Sequence, residues 1–129
     1  MAKELFKNGK IKVFSLQEKN KPPELEPFIK EVYKSDPREI SKLQKFFARF
    51  AENPDAVFHT EQKYKKLNEH IHEFKPTSQI RLYFFYDQDK SICITHGYIK
   101  KTMKDSRSQA EIEKATAIRN LYFKNSYEK

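Results

Sequence analysis

Arg81, His96, Tyr98, Lys100 and Lys101 carry the chemistry most worth locating in this chain, and all five fall within twenty-one residues. An arginine offers a planar fork that matches phosphate oxygens, and lysines add mobile point charges. Histidine is the side chain whose ordinary pKa best suits proton transfer near neutrality, and exposed tyrosines stack on splayed bases. Together these types suit metal-free cleavage of RNA by its own 2′-hydroxyl. That reaction needs a group to take the hydroxyl proton, cations for the developing charge on phosphorus, and a proton for the leaving oxygen. Each residue also has a plainer role. Arg81 can pair with Glu73 on a neighbouring strand, His96 can be a satisfied core histidine, and the lysines can be a solvated edge that discourages sheet aggregation.

The element that must position them is Ile80–Ile99. Two runs of β-branched and aromatic residues, 80–86 and 91–99, flank the polar cluster Asp87-Gln88-Asp89-Lys90, the pattern of strand, turn and strand. An even-numbered turn would set Tyr86 against Ser91 and Arg81 against His96. Alternation then gives one face Arg81, Tyr83, Phe85, Ile92, Ile94, His96 and Tyr98, and the other Ile80, Leu82, Phe84, Cys93 and Thr95. Both faces are largely apolar, so the hairpin belongs in the middle of a covered sheet. An arginine there needs a counter-charge, either an internal carboxylate or a bound phosphate.

The rest of the chain supplies the covering layers. Lys10–Leu16 alternates as a first strand, while 1–9 is polar and expected to be flexible. Pro22-Pro23 precede a helix from Glu24 to Lys34, with Leu25, Phe28, Ile29 and Val32 on one face. Asp36-Pro37-Arg38-Glu39 reads as a cap, a first-turn proline and a capping-box glutamate. The helix it opens carries Ile40, Leu43, Phe46, Phe47 and Phe50 as a core stripe and ends near Asn53-Pro54. Residues 55–67 are ambiguous, with a basic run before a strand. Glu69–Lys75 alternates weakly and should pair with the hairpin. That puts His70 and His72 on one strand face, where a solvated pair is the expectation because no third metal ligand is evident. A last helix starts at Ser108, with Glu111 in capping-box spacing and Ile112, Ala115, Ile118, Arg119 and Tyr122 along it. The predicted class is α+β, one domain over 1–129, with a helical hairpin on one face of an antiparallel-rich sheet.

Composition narrows the function. A formal charge of +8 favours a polyanionic partner, nucleic acid before anionic membrane, with lysine-rich solvated faces as the alternative. Two glycines exclude Gly-rich phosphate loops. The single Cys93 allows no internal disulfide and reads as a small core filler. No run is long and apolar enough for a membrane span, and 1–12 lacks the apolar core of a signal peptide. The expected location is therefore cytoplasmic.

The run IRLYFFY, then ICITHGYIKKT, then EIEKA with a later Arg and Tyr, resembles the RelE/HigB superfamily of type II toxin–antitoxin toxins, in its phage-derived HigB-like branch. The matching residues are Arg81, His96–Thr102, Glu111-Ile112, Ala115, Arg119 and Tyr122 within 73–122. The resemblance implies a RelE-like fold and a metal-independent mRNA endonuclease, acting in the ribosomal decoding site and silenced by a helix-turn-helix antitoxin, with no cofactor and no membrane partner. It places Arg81, His96, Lys100 and Lys101 as catalytic, and Lys75, Tyr98 and Lys104 as RNA contacts. Lys75 stands where many members have arginine after the Glu, and the N-terminal part is longer than in compact members. Two other functions fit the same chain. One is a ParE-like toxin that binds a protein such as DNA gyrase and cuts nothing. The other is a non-enzymatic nucleic-acid-binding protein of phage origin.

Overall fold

The computed structural model describes residues 3–7, 11–100 and 108–129. Six strands form the main sheet: β1 (Lys3–Lys7), β2 (Lys12–Ser15), β4 (Tyr64–Lys66), β5 (His72–Phe74), β6 (Ile80–Tyr86) and β7 (Ile92–Ile99). Their order is β1-β2-β7-β6-β5-β4, and every neighbouring pair is antiparallel except β2 with β7. Helices α1 (Leu25–Ser35), α2 (Pro37–Glu52) and α3 (Pro54–Phe58) follow β2, and α4 (Ser108–Phe123) follows β7. A second, two-stranded sheet pairs β3 (Gln17–Glu18) with β8 (Tyr127–Glu128). The molecule is α+β with the RelE-like layering expected, and the β6–β7 hairpin lies at the sheet centre.

Two apolar clusters explain why the hairpin is buried on both sides. Leu82, Phe84, Ile92 and Ile94 face Leu25 and Val32 of α1 and Leu43, Phe46 and Phe50 of α2. Phe74 sits among the rings of Phe46, Phe50 and Phe84, with centroids 5.3, 5.4 and 4.3 Å away. On the opposite face Tyr83, Phe85 and Cys93 meet Ala115 and Ile118 of α4. Cys93 is fully buried, and burial pushes its thiol up to about 12, which fits a packing residue. Phe47, expected in the core stripe, is only half-buried against its edge.

The hairpin register differs from the even-turn expectation. The connection is the five-residue segment Asp87–Ser91, and Tyr86 faces Ile92 rather than Ser91. Ile92 and Ile94 therefore join the helical-hairpin face. Thr95 is then an extra residue in β7, between the pairs Phe84–Ile94 and Tyr83–His96. Such a bulge shifts the alternation by one. It returns His96 and Tyr98 to the face of Arg81 and Tyr83, but Arg81 pairs with Tyr98 and not with His96.

Several local expectations also change. Segment 1–9, expected to be flexible, contributes strand β1 at 3–7. Asp36 caps α2 by accepting from the Arg38 N–H at 3.1 Å, with Pro37 at the first helical position. Glu39 does not close a capping box. Its carboxylate is buried, accepts from the Thr77 hydroxyl at 2.8 Å and pairs with Lys42. His70 and His72 share no strand face. His72 lies buried in β5 and stacks on Phe84, while His70 is exposed in the turn that Asn68 organises. Helix α4 ends in a left-handed Asn125, with Ser126 N–H bonded to Leu121 O and Asn125 N–H to Tyr122 O. That stop turns the chain into β8.

Candidate nucleic-acid interface

Cross-strand neighbours on one sheet face make rows, and one row runs Lys65, Glu73, Tyr83 and His96 across β4, β5, β6 and β7. Beside it Arg81 faces Tyr98. A groove of about 290 Å³ opens over these residues, lined by Lys65, Glu73, Lys75, Arg81, Tyr98 and Lys100, with Ile112 of α4 as one wall. Among the described residues, four cations surround one carboxylate and two tyrosines, Tyr83 and Tyr98. Such a set fits a phosphodiester and a base better than a neutral ligand.

Arg81 is half-buried. Its Nη1 donates to the carbonyls of Thr77 at 2.8 Å and Ile80 at 2.9 Å, and no carboxylate among the described residues forms an ion pair with it. The Arg81–Glu73 salt bridge, one of the two partners open to this arginine, is therefore not made. Lys75 donates to Glu61 O at 3.0 Å. Burial lowers its pKa first; Glu73 opposes that, and Arg81, Lys65 and Lys100 push it lower again. Lys100 is held by its backbone N–H, which donates to Gln79 O at 2.7 Å. Lys101 and Lys104 lie outside the described residues.

His96 does not enter the groove. It is buried beneath it, with its ring stacked on Tyr83 at 4.9 Å, Nδ1 3.0 Å from Thr95 Oγ1 and Nε2 3.1 Å from Glu111 Oε1. Burial lowers its pKa to about 3, with Lys114 pushing the same way. These surroundings suit a neutral imidazole that ties β7 to α4, and they set His96 under the groove rather than in its lining. Gly97, next to it, is set by packing: a Cβ there would stand 2.5 Å from the Phe28 ring of α1.

Two groove residues were not among the expected site residues. Glu73 is buried at the groove floor and appeared only as a salt-bridge alternative for Arg81. Tyr83 stands opposite Glu73 across the β5–β6 pair, and burial first, then that carboxylate, raise its hydroxyl pKa. The available signal was the alternation of Glu73 in a strand beside the hairpin. Among the described residues no group of three or more His, Cys, Asp or Glu side chains could hold a metal ion, and no helix is long and apolar enough to cross a membrane.

Fold and groove together define a small α+β domain with a cationic groove on a sheet face. The family described as Phage derived protein Gp49-like (DUF891) matches residues 40–120, and the chain belongs to that family. The matched span takes in most of α2, α3, β4 to β7 and most of α4, and leaves β1 to β3, α1 and β8 outside it. No curated protein matches the chain.

Proposed function

We propose that this chain is a toxin-type endoribonuclease that cuts mRNA through attack of the 2′-hydroxyl on the adjacent phosphorus. The observation that carries this reading is the groove itself, in which Glu73 is, among the described residues, the one carboxylate beside Lys65, Lys75, Arg81 and Lys100. Glu73 takes the proton of the attacking hydroxyl, with Tyr83 opposite it on the neighbouring strand. Arg81 and Lys100 hold the charge that grows on the phosphoryl oxygens. Lys75, whose lowered pKa brings its proton closer to transfer at neutral pH, protonates the departing 5′-oxygen. The O2′–P bond forms as the P–O5′ bond breaks, leaving a 2′,3′-cyclic phosphate and a 5′-hydroxyl. Tyr98 stacks on a flanking base. His96 positions Tyr83 and α4.

The resemblance to RelE/HigB toxins adds the ribosome as the place of cutting and a helix-turn-helix antitoxin as the silencing partner. Inducing the protein in a bacterial host and mapping mRNA 5′ ends tests the reading. New 5′-hydroxyl ends inside translated codons support it. Growth arrest with intact mRNA overturns it in favour of a toxin that binds a protein such as gyrase.

A further inference from the structure

A second basic recess lies outside the groove, between α2 and the segment that joins β5 to β6. It measures about 510 Å³ and is lined by Lys42, Lys45, Arg49, Lys63, Thr77 and Ser78, among others, with no carboxylate in its wall among the described residues. Lys42, Lys45 and Arg49 sit three and four residues apart and so project from one face of α2. Lys42 is neutralised in part by Glu39 at 3.1 Å. Lys45, Arg49 and Lys63 form no ion pair among the described residues.

The two basic surfaces meet along the Pro76-Thr77-Ser78 segment, which lines the recess. Thr77 is buried and locked: its hydroxyl donates to Glu39 and accepts from the N–H groups of Gln79 and Ile80 at 3.1 and 2.9 Å. Its carbonyl accepts from Arg81 of the groove. At the sheet edge, Lys63 of the recess accepts through its carbonyl from the Lys75 N–H of the groove at 2.8 Å. A rigid ridge therefore separates two cation-lined surfaces whose walls are hydrogen-bonded neighbours.

We propose that the recess holds the phosphate backbone of the same single RNA strand that enters the groove, so that Lys45, Arg49 and Lys63 bind nucleotides flanking the reacting one. This rests on the nucleic-acid reading of the groove but not on cleavage. Cations that form no ion pair among the described residues favour a repeated anion, and a backbone crossing the ridge offers one on each side.

The test uses 2′-O-methyl RNA strands of about 4 and about 12 nucleotides, within the range of known single-strand sites. Such strands lack the attacking hydroxyl and report binding alone. The longer strand should bind more tightly, with a salt slope steeper by about 2, from three phosphates at about 0.7 each. Combining Lys45→Ala, Arg49→Ala and Lys63→Ala should abolish that difference and leave the short strand within about twofold of the parent. Combining Lys45→Arg, Arg49→Lys and Lys63→Arg, which keeps every charge, should restore it at an unchanged melting temperature. Equal affinity and slope for both strands in the parent overturns the inference, as does a triple alanine variant that weakens both strands alike. Length-dependent binding by a protein that cuts no mRNA sustains the inference and removes the nuclease reading.

Discussion

At the scale of single residues, Arg81 and Glu73 separate positioning from chemistry. Both Arg81 contacts use one nitrogen, Nη1, and both go to carbonyl oxygens. Arg81→Ala therefore removes ordinary hydrogen bonds and leaves no carboxylate stripped of a salt-bridge partner. The expected stability loss is about 1–2 kcal/mol, while cleavage should fall by roughly two to three orders of magnitude. Arg81→Lys keeps the charge without the fork, and its rate should lie between those of the alanine variant and the parent. Urea melts and mRNA cleavage on both variants check this. A loss of about 3–5 kcal/mol with normal cleavage by the folded fraction would return Arg81 to a structural role. Glu73→Gln preserves size and removes the negative charge from among four cations. Cleavage should fall by about 10²–10⁴, while affinity for 2′-O-methyl RNA holds or rises. Parallel loss of both would show Glu73 to be a packing group.

At the scale of elements, the contact of α1 with β7 is set by Gly97. Phe28 lies over the backbone there, so Gly97→Ala drives a methyl into the ring. The expected cost is about 1–3 kcal/mol from overpacking. Phe28→Leu in the Gly97→Ala background should recover part of it, because the ring is the obstacle; denaturant melts of the double-mutant cycle read the coupling. Additive losses would mean that the glycine is needed for something other than this contact. The joint between β7 and α4 depends on His96, and that between β4 and β5 on His72, whose Nδ1 lies 2.6 Å from the Tyr64 hydroxyl.

At the scale of the whole molecule, these two histidines tie stability to pH. Burial lowers His72 to about 4 and His96 to about 3, from an ordinary value of 6.5. Between those limits the unfolded chain binds protons that the folded chain refuses, so stability rises with pH there. The neutral-histidine contribution is complete above about pH 6.5 and is lost on acidification towards pH 4. Each histidine should add a slope of up to about 1.4 kcal/mol per pH unit. Urea melts at pH 5.5, 6.0 and 6.5 measure it above the range of ordinary carboxylates, and His96→Asn should flatten the dependence relative to the parent. An unchanged slope in that variant would show that His96 is solvated.

The sequence by itself determined the elements whose signals are local. The aromatic spacing in α2, the Asp36-Pro37 start and the strand runs of β6 and β7 are legible locally. The weak alternation around Glu73 marks a strand but not an apolar face, since His72, Glu73 and Phe74 are all buried. Arg81, Tyr98 and Lys100 meet in the groove because strand alternation and hairpin pairing carry them there. Tertiary structure decided what depends on register and on distant partners. A five-residue turn and the extra Thr95 re-paired Arg81 with Tyr98, and neither leaves a mark in hydrophobic alternation. Glu39, in capping-box spacing, turned instead to Thr77, 38 residues away. β1 and the two-residue strands β3 and β8 are too short and polar to show a period. Glu73 became a groove carboxylate and His96 a buried tie because Glu111 and Tyr83 arrived from other elements. Local periodicity encodes which way a side chain points; only the assembled layers set what it meets.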